Sequence, residues 1–173
     1  MKRTFWIASA AALVLAGFGG AAVANSGGKA GKKAPVAKTA PAPAMKPAEV
    51  IEARHANFKV MGKGFKAIRD QLMSPSGSMD IVKENAVAID GAAVKVAGFF
   101  PKGSGAEAGV KTEALPAIWE KPTDFKAASD KLVAAAAGLK AAAASGDMAN
   151  VKAAIPALGG ACKGCHDSFK AKD

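Results

Sequence analysis

From Glu49 to Asp173 the apolar residues recur at helical rather than alternating spacing. The first stretch, about 48 to 73, sets Ile51, Phe58, Met61, Phe65, Ile68 and Leu72 along one stripe, and Ser74-Pro75-Ser76-Gly77 ends it. The second, about 78 to 98, carries Ile81, Val82, Ile89, Val94 and Val96, with Gly91 weakening its regularity. A long connection, about 99 to 122, holds Phe99-Phe100-Pro101, three glycines and Pro116. Connections of that length are uncommon unless they serve a purpose, and this one is placed to wrap a cofactor. The third helix starts near Thr123-Asp124 and runs through Phe125, Leu132, Val133 and Leu139, until Ser145-Gly146-Asp147 turns the chain. The fourth, about 147 to 171, contains Pro156, which predicts a kink or break. No β-rich run interrupts the series. These elements predict an all-α fold, an antiparallel four-helix bundle over 48–173, in which a cofactor sits among facing side chains.

The residues before this domain read differently. Lys2 and Arg3 precede the apolar run Phe5 to Phe18, and Ala22-Val23-Ala24 supplies a small-residue cleavage pattern. That order predicts a secretory signal peptide over 1–24, with the mature chain in a bacterial periplasm. The apolar run is short for a span of ~20 residues, so no integral membrane span is expected in the mature form. Residues 25–47 are rich in Ala, Pro, Gly and Lys with almost no bulky apolar side chain. Such a stretch cannot offset its chain entropy by burial and predicts a disordered, basic linker.

The formal charge of +10 belongs mostly to this N-terminal part. From Glu49 onward there are 17 basic and 14 acidic residues, a balance of +3. No basic stripe interleaved with aromatics is present, so a nucleic-acid role is not expected. No paired carboxylates and no nucleophile beside a base stand out, so an enzyme is not expected either.

Candidate chemistry is concentrated in Cys162-Lys163-Gly164-Cys165-His166, which holds both cysteines of the chain. Two thiols three apart with a histidine after the second form a c-type haem attachment pattern. On a helix, positions i, i+3 and i+4 share one face. Cys162 and Cys165 can therefore reach the two vinyl groups of one porphyrin while His166 offers its imidazole to the iron. A disulfide, a thioredoxin-like redox pair and a zinc site including His55 are the competing readings. The redox pair needs a βαβ setting. For zinc, adjacent Cys165 and His166 are awkward ligands of one tetrahedral ion.

A haem motif near the C-terminus, on a fourth helix, resembles the class II c-type cytochromes, and cytochrome c′ among them most closely. Arg54 to Gly62 resembles the first-helix signature of that family. Phe99-Phe100-Pro101 with Gly103-Ser104-Gly105 resembles its aromatic-and-glycine loop. Leu115-Pro116-Ala117-Ile118-Trp119 resembles the segment leading into its third helix.

The resemblance implies one covalent haem c held by Cys162 and Cys165, with His166 as iron ligand and Phe58 capping the distal face. A phenyl ring has no lone pair for iron, which leaves the metal five-coordinate and high-spin. It further implies Arg54 paired to a haem propionate, with a snorkelling stem as the alternative. His55 and Glu113 take polar positions beside the haem, each with a plain surface residue as the alternative. Phe100 or Phe99 packs on the porphyrin, and spacing does not choose between them. Lys170 takes a basic proximal position or is simply solvated. Implied partners are a small diatomic gas such as nitric oxide, a periplasmic redox partner and a second copy of the chain. The other reading is a low-spin electron carrier of the c556 type, with Met61 as sixth ligand rather than core packing.

Overall fold

The computed structural model describes residues 45–172. The expected signal peptide (1–24) and all but the last three residues of the expected linker (25–47) lie outside the described residues. Four long helices make the architecture: α1 (Pro47–Met73), α2 (Met79–Ala93), α4 (Pro122–Ala144) and α5 (Met148–Phe169), with a single-turn α3 (Ala117–Glu120) before α4. Among the described residues there is no sheet, and the one β-type pairing is an isolated antiparallel bridge between Ala114 and Lys170. No helix among them is long and apolar enough to cross a membrane.

Each helix begins where local chemistry allows it. Pro47 opens α1 and Pro122 opens α4, positions where a missing N–H costs nothing. The Ser78 hydroxyl accepts from the Ile81 N–H to cap α2, and the Asp147 carboxylate accepts from the Ala149 N–H to cap α5. Gly146, at φ 76°, reverses the chain between α4 and α5 in a conformation that side chains beyond glycine resist. Short turns make α1 and α2 antiparallel neighbours, and likewise α4 and α5. α2 packs on α4 and joins the two hairpins. Gly64 lets α1 and α2 approach closely, since a Cβ there would sit 3.1 Å from the Ile89 side chain.

The core follows the predicted stripes, except that Ile81 near the start of α2 is 40% exposed. Met61, Ile68, Val82, Ile89, Leu132, Leu139, Val151 and Leu158 are all buried in one cluster. Two expectations need correction. α2 ends at Ala93 instead of near 98, and a 3₁₀ turn over Val96–Phe99 follows. Val96 lies in the core at 1% exposure, while Val94 points outward at 59%. Pro156 does not break α5, which runs uninterrupted from Met148 to Phe169. Pro156 and Lys152 are both exposed, so the Lys152 carbonyl that loses its donor is open to water.

Candidate functional site

Along α1 and α5 the bundle does not close by helix packing. Instead the two helices face each other across a cavity of about 460 Å3. A volume of that order suits a bound organic group. Its walls are chiefly apolar: Phe58, Met61 and Phe65 from α1, Phe125 and Leu132 from α4, Leu158 and Phe169 from α5. Its polar groups include Arg54, His55, Lys59, Thr112, Glu113 and Lys170, with Ser129 on α4 and His166 on α5.

Every site residue expected from the sequence lines this one cavity: Arg54, His55, Phe58, Phe100, Glu113, Cys162, Cys165 and His166. They come from three separate parts of the chain. Phe100 is the lining aromatic of its pair, whereas Phe99 contributes its carbonyl to Arg54. Met61 also lines the cavity and is buried at 8% exposure, so both candidate residues of α1 face the same space.

Cys162 and Cys165 are free thiols, each partly buried, on adjacent turns of α5. Burial pushes both thiols above their ordinary pKa, and for Cys165 the neighbouring Cys162 adds to the effect. The direction is opposite to the depressed thiol pKa that activates a redox pair. The His166 pKa is lowered, first by desolvation and then by the Lys170 charge, against opposing pulls from Asp167 and Glu113. This favours the neutral imidazole, the form with a lone pair for a metal. Among the described residues no three His, Cys, Asp or Glu side chains gather as a metal cluster, so the zinc set with His55 is not assembled.

Arg54 does not snorkel. It is 3% exposed and donates from Nε to the Phe99 carbonyl, from Nη1 to the Thr112 hydroxyl, and from Nη2 to both the carbonyl and the hydroxyl of Ser104. The Ser104 hydroxyl in turn donates a hydrogen bond to the Pro101 carbonyl at 2.8 Å. The guanidinium also lies 4.1 Å from the centre of the Phe100 ring, a cation–π contact. Of its five N–H groups, one on Nη1 has no bond to the loop. Phe100 is the hub of an aromatic cluster, 6.5 Å from Phe58, 6.3 Å from Trp119 and 4.8 Å from Phe125 between ring centres. The Trp119 indole N–H donates to the Phe100 and Pro101 carbonyls and fixes the loop behind the ring.

Opposite, residues 113–115 are stitched to the end of α5. The Leu115 N–H donates to the Phe169 carbonyl and the Ala171 N–H to the Glu113 carbonyl, at 3.0 and 2.8 Å. Lys170 is not merely solvated: its ammonium lies 3.1 Å from the Glu113 carboxylate. Glu113 and His55 are exposed residues at the cavity's polar side. Sequence reasoning missed Thr112, Ser104 and Ser129. No spacing rule marks the first two, but Ser129 stands in the apolar stripe between Phe125 and Leu132, where it was visible.

A four-helix bundle whose last helix presents two thiols and an imidazole to an apolar cavity has the form of a c-type haem protein. The sequence pattern of the family described as cytochrome C′ matches residues 49–170, and the chain belongs to that family. The cytochrome c′ of Rubrivivax gelatinosus is 39% identical over 129 residues, covering 73% of this chain and 98% of that one. The crystal structure of cytochrome c′ from Thermochromatium tepidum superposes with a TM-score of 0.68 at 31% identity, covering 74% of this chain and 98% of the other. A ferrous variant of cytochrome c′ from Alcaligenes xylosoxidans with bound NO gives a TM-score of 0.64 at 25% identity, over 74% and 98% of the two chains.

The residues present fit a covalent haem. Two thiols lie one helical turn apart, an imidazole whose lowered pKa favours the neutral form follows, the walls are chiefly apolar, and the lining includes Arg54 and Lys59, cations that could meet carboxylates.

Proposed function

We propose that this chain is a periplasmic haem c protein with a five-coordinate, high-spin iron, which binds small diatomic gases such as nitric oxide, transfers electrons, or both. The observation that carries this reading is the convergence of Cys162, Cys165, His166 and Phe58 on one apolar cavity. When bound, the haem supplies a redox-active iron with one open coordination position. The protein's own residues do the rest. Cys162 and Cys165 hold the group through thioethers, and the neutral His166 imidazole donates its lone pair. Phe58 supports an open position, because its ring contributes bulk and no ligand atom. Phe58, Phe100, Phe125 and Leu132 exclude water. Arg54 keeps one Nη1 proton for a haem carboxylate, and Lys59 and His55 stand on the same polar side. A relative with bound NO supports nitric oxide as the gas. The alternative, a low-spin electron carrier of the c556 type, keeps one specific support, the presence of Met61 in the same cavity wall.

Mass spectrometry of the mature chain, after denaturation and acid–acetone extraction, is expected to show one retained haem. The ferric spectrum is expected to be high-spin. A bare polypeptide mass overturns the haem reading; a low-spin spectrum overturns the five-coordinate reading and favours Met61.

A further inference from the structure

Ser129 is out of place in its surroundings. It lies on α4 between Phe125 and Leu132, lines the cavity, and is 3% exposed. A buried hydroxyl ordinarily finds a partner, and a helical serine without one can turn back to the carbonyl four residues earlier. Among the described residues the Ser129 hydroxyl has no hydrogen-bond partner. No side-chain oxygen or nitrogen there is both sealed from solvent and unpaired, so the Ser129 hydroxyl opens into the cavity.

Its height in the bundle follows from the helix pairing. α4 and α5 are antiparallel neighbours, and the Phe125 and Phe169 rings meet with centres 5.3 Å apart. Four residues on from Phe125 and four back from Phe169 bring Ser129 level with Cys165, and both line the cavity. The hydroxyl is therefore beside the segment that would hold the porphyrin, in an otherwise apolar wall. The carboxylate-binding groups, Arg54, His55 and Lys59, come from α1. A charged haem edge belongs with them, and Ser129 is left for something small and uncharged.

We infer that Ser129 is a specificity-determining residue whose hydroxyl donates a hydrogen bond to a small neutral acceptor in the cavity, the acceptor being nitric oxide in the gas-binding reading on which this rests. An apolar pocket concentrates diatomics without ranking them. A single donor in that pocket favours the ligand whose outer atom carries more negative charge, and contributes about one ordinary hydrogen bond.

The test uses ferrous holoprotein with nitric oxide as the probe, and the N–O stretch recorded by infrared spectroscopy in H2O and D2O. In the native protein the band is expected to shift on deuteration. In Ser129→Ala it is expected to move to higher frequency and lose that sensitivity, with nitric oxide leaving roughly two- to tenfold faster. Ser129→Thr, which keeps the hydroxyl, is expected to restore the deuterium shift. A band unchanged between native protein and Ser129→Ala overturns the inference and assigns the hydroxyl to the Phe125 carbonyl. Failure of the haem reading is separately visible: the mature chain then has the bare polypeptide mass and no nitrosyl band, and the inference falls with it.

Discussion

In the proposed haem reading, two residues three apart on α1 decide which kind of iron site the chain forms. Phe58 and Met61 both line the cavity, so direction toward it does not separate them. Chemistry does: sulfur has a lone pair and a phenyl ring has none. Met61 is also part of the buried core cluster, the ordinary place for a methionine in an apolar stripe. Met61→Leu keeps the volume and removes only the sulfur, so the ferric spectrum is expected to stay high-spin and unchanged. Conversion of a low-spin spectrum to a high-spin one would make Met61 a ligand. Phe58→Ala is expected to let carbon monoxide bind faster and more tightly, as followed by flash photolysis. Loss of a fully packed phenyl ring costs ~3–5 kcal/mol. At this scale the sequence was most legible for Cys162, Cys165 and His166, whose spacing states a geometry directly. Thr112 was not legible, because its role depends on a contact with Arg54 58 positions earlier.

Among the elements, the connection from α2 to α4 was legible as a segment placed to wrap a cofactor, but its ties to the flanking helices were not. Arg54 ties it to α1, and the Ala114–Lys170 bridge ties it to α5. The two helices that flank the cavity are thus joined through a segment belonging to neither. Local patterning could not show this, since the hydrogen bonds span 45 to 58 positions. α2 was misjudged in its extent: its apolar residues continue past Ala93, but the α-helix stops there and a 3₁₀ turn over Val96–Phe99 follows. Arg54→Ala would leave the Phe99 and Ser104 carbonyls without their charged donor. Hydrogen bonds to charged groups contribute ~1.5–3 kcal/mol each, and several are lost together. A loss of about 3 kcal/mol or more is expected in urea unfolding of the holoprotein. Arg54→Lys is expected to recover little, because a single ammonium cannot serve acceptors arranged around a planar fork. Recovery to native stability with lysine would show that charge alone, and not the fork, holds the connection.

For the whole molecule, the apolar surface left outside the core points to a second copy of the chain. Val60 on α1, Val87 on α2 and Val94 at the C-cap of α2 are 44%, 58% and 59% exposed. Val87, Gly91 and Val94 follow i, i+4, i+7 spacing and form one stripe. A Cβ built at Gly91 meets nothing within 4 Å, so this stripe has a shallow notch. Gly64 and Ile89 meet where the two helices cross, which brings Val60 to about the level of Gly91. The patch lies on α1 and α2, and the stripe belongs to the face of α2 turned away from the buried Ile89 and Ala93. A dimer through this patch would therefore bury it without covering the thiols on α5. Sedimentation equilibrium of the holoprotein is expected to show dimers at roughly ten micromolar and above, where a weak interface is populated. Val87→Lys combined with Val94→Lys places two charges in the stripe and is expected to give monomers with an unchanged haem spectrum. Native protein that sediments as a monomer at those concentrations would refute the dimer. A double variant that still dimerises would place the contact elsewhere on the bundle.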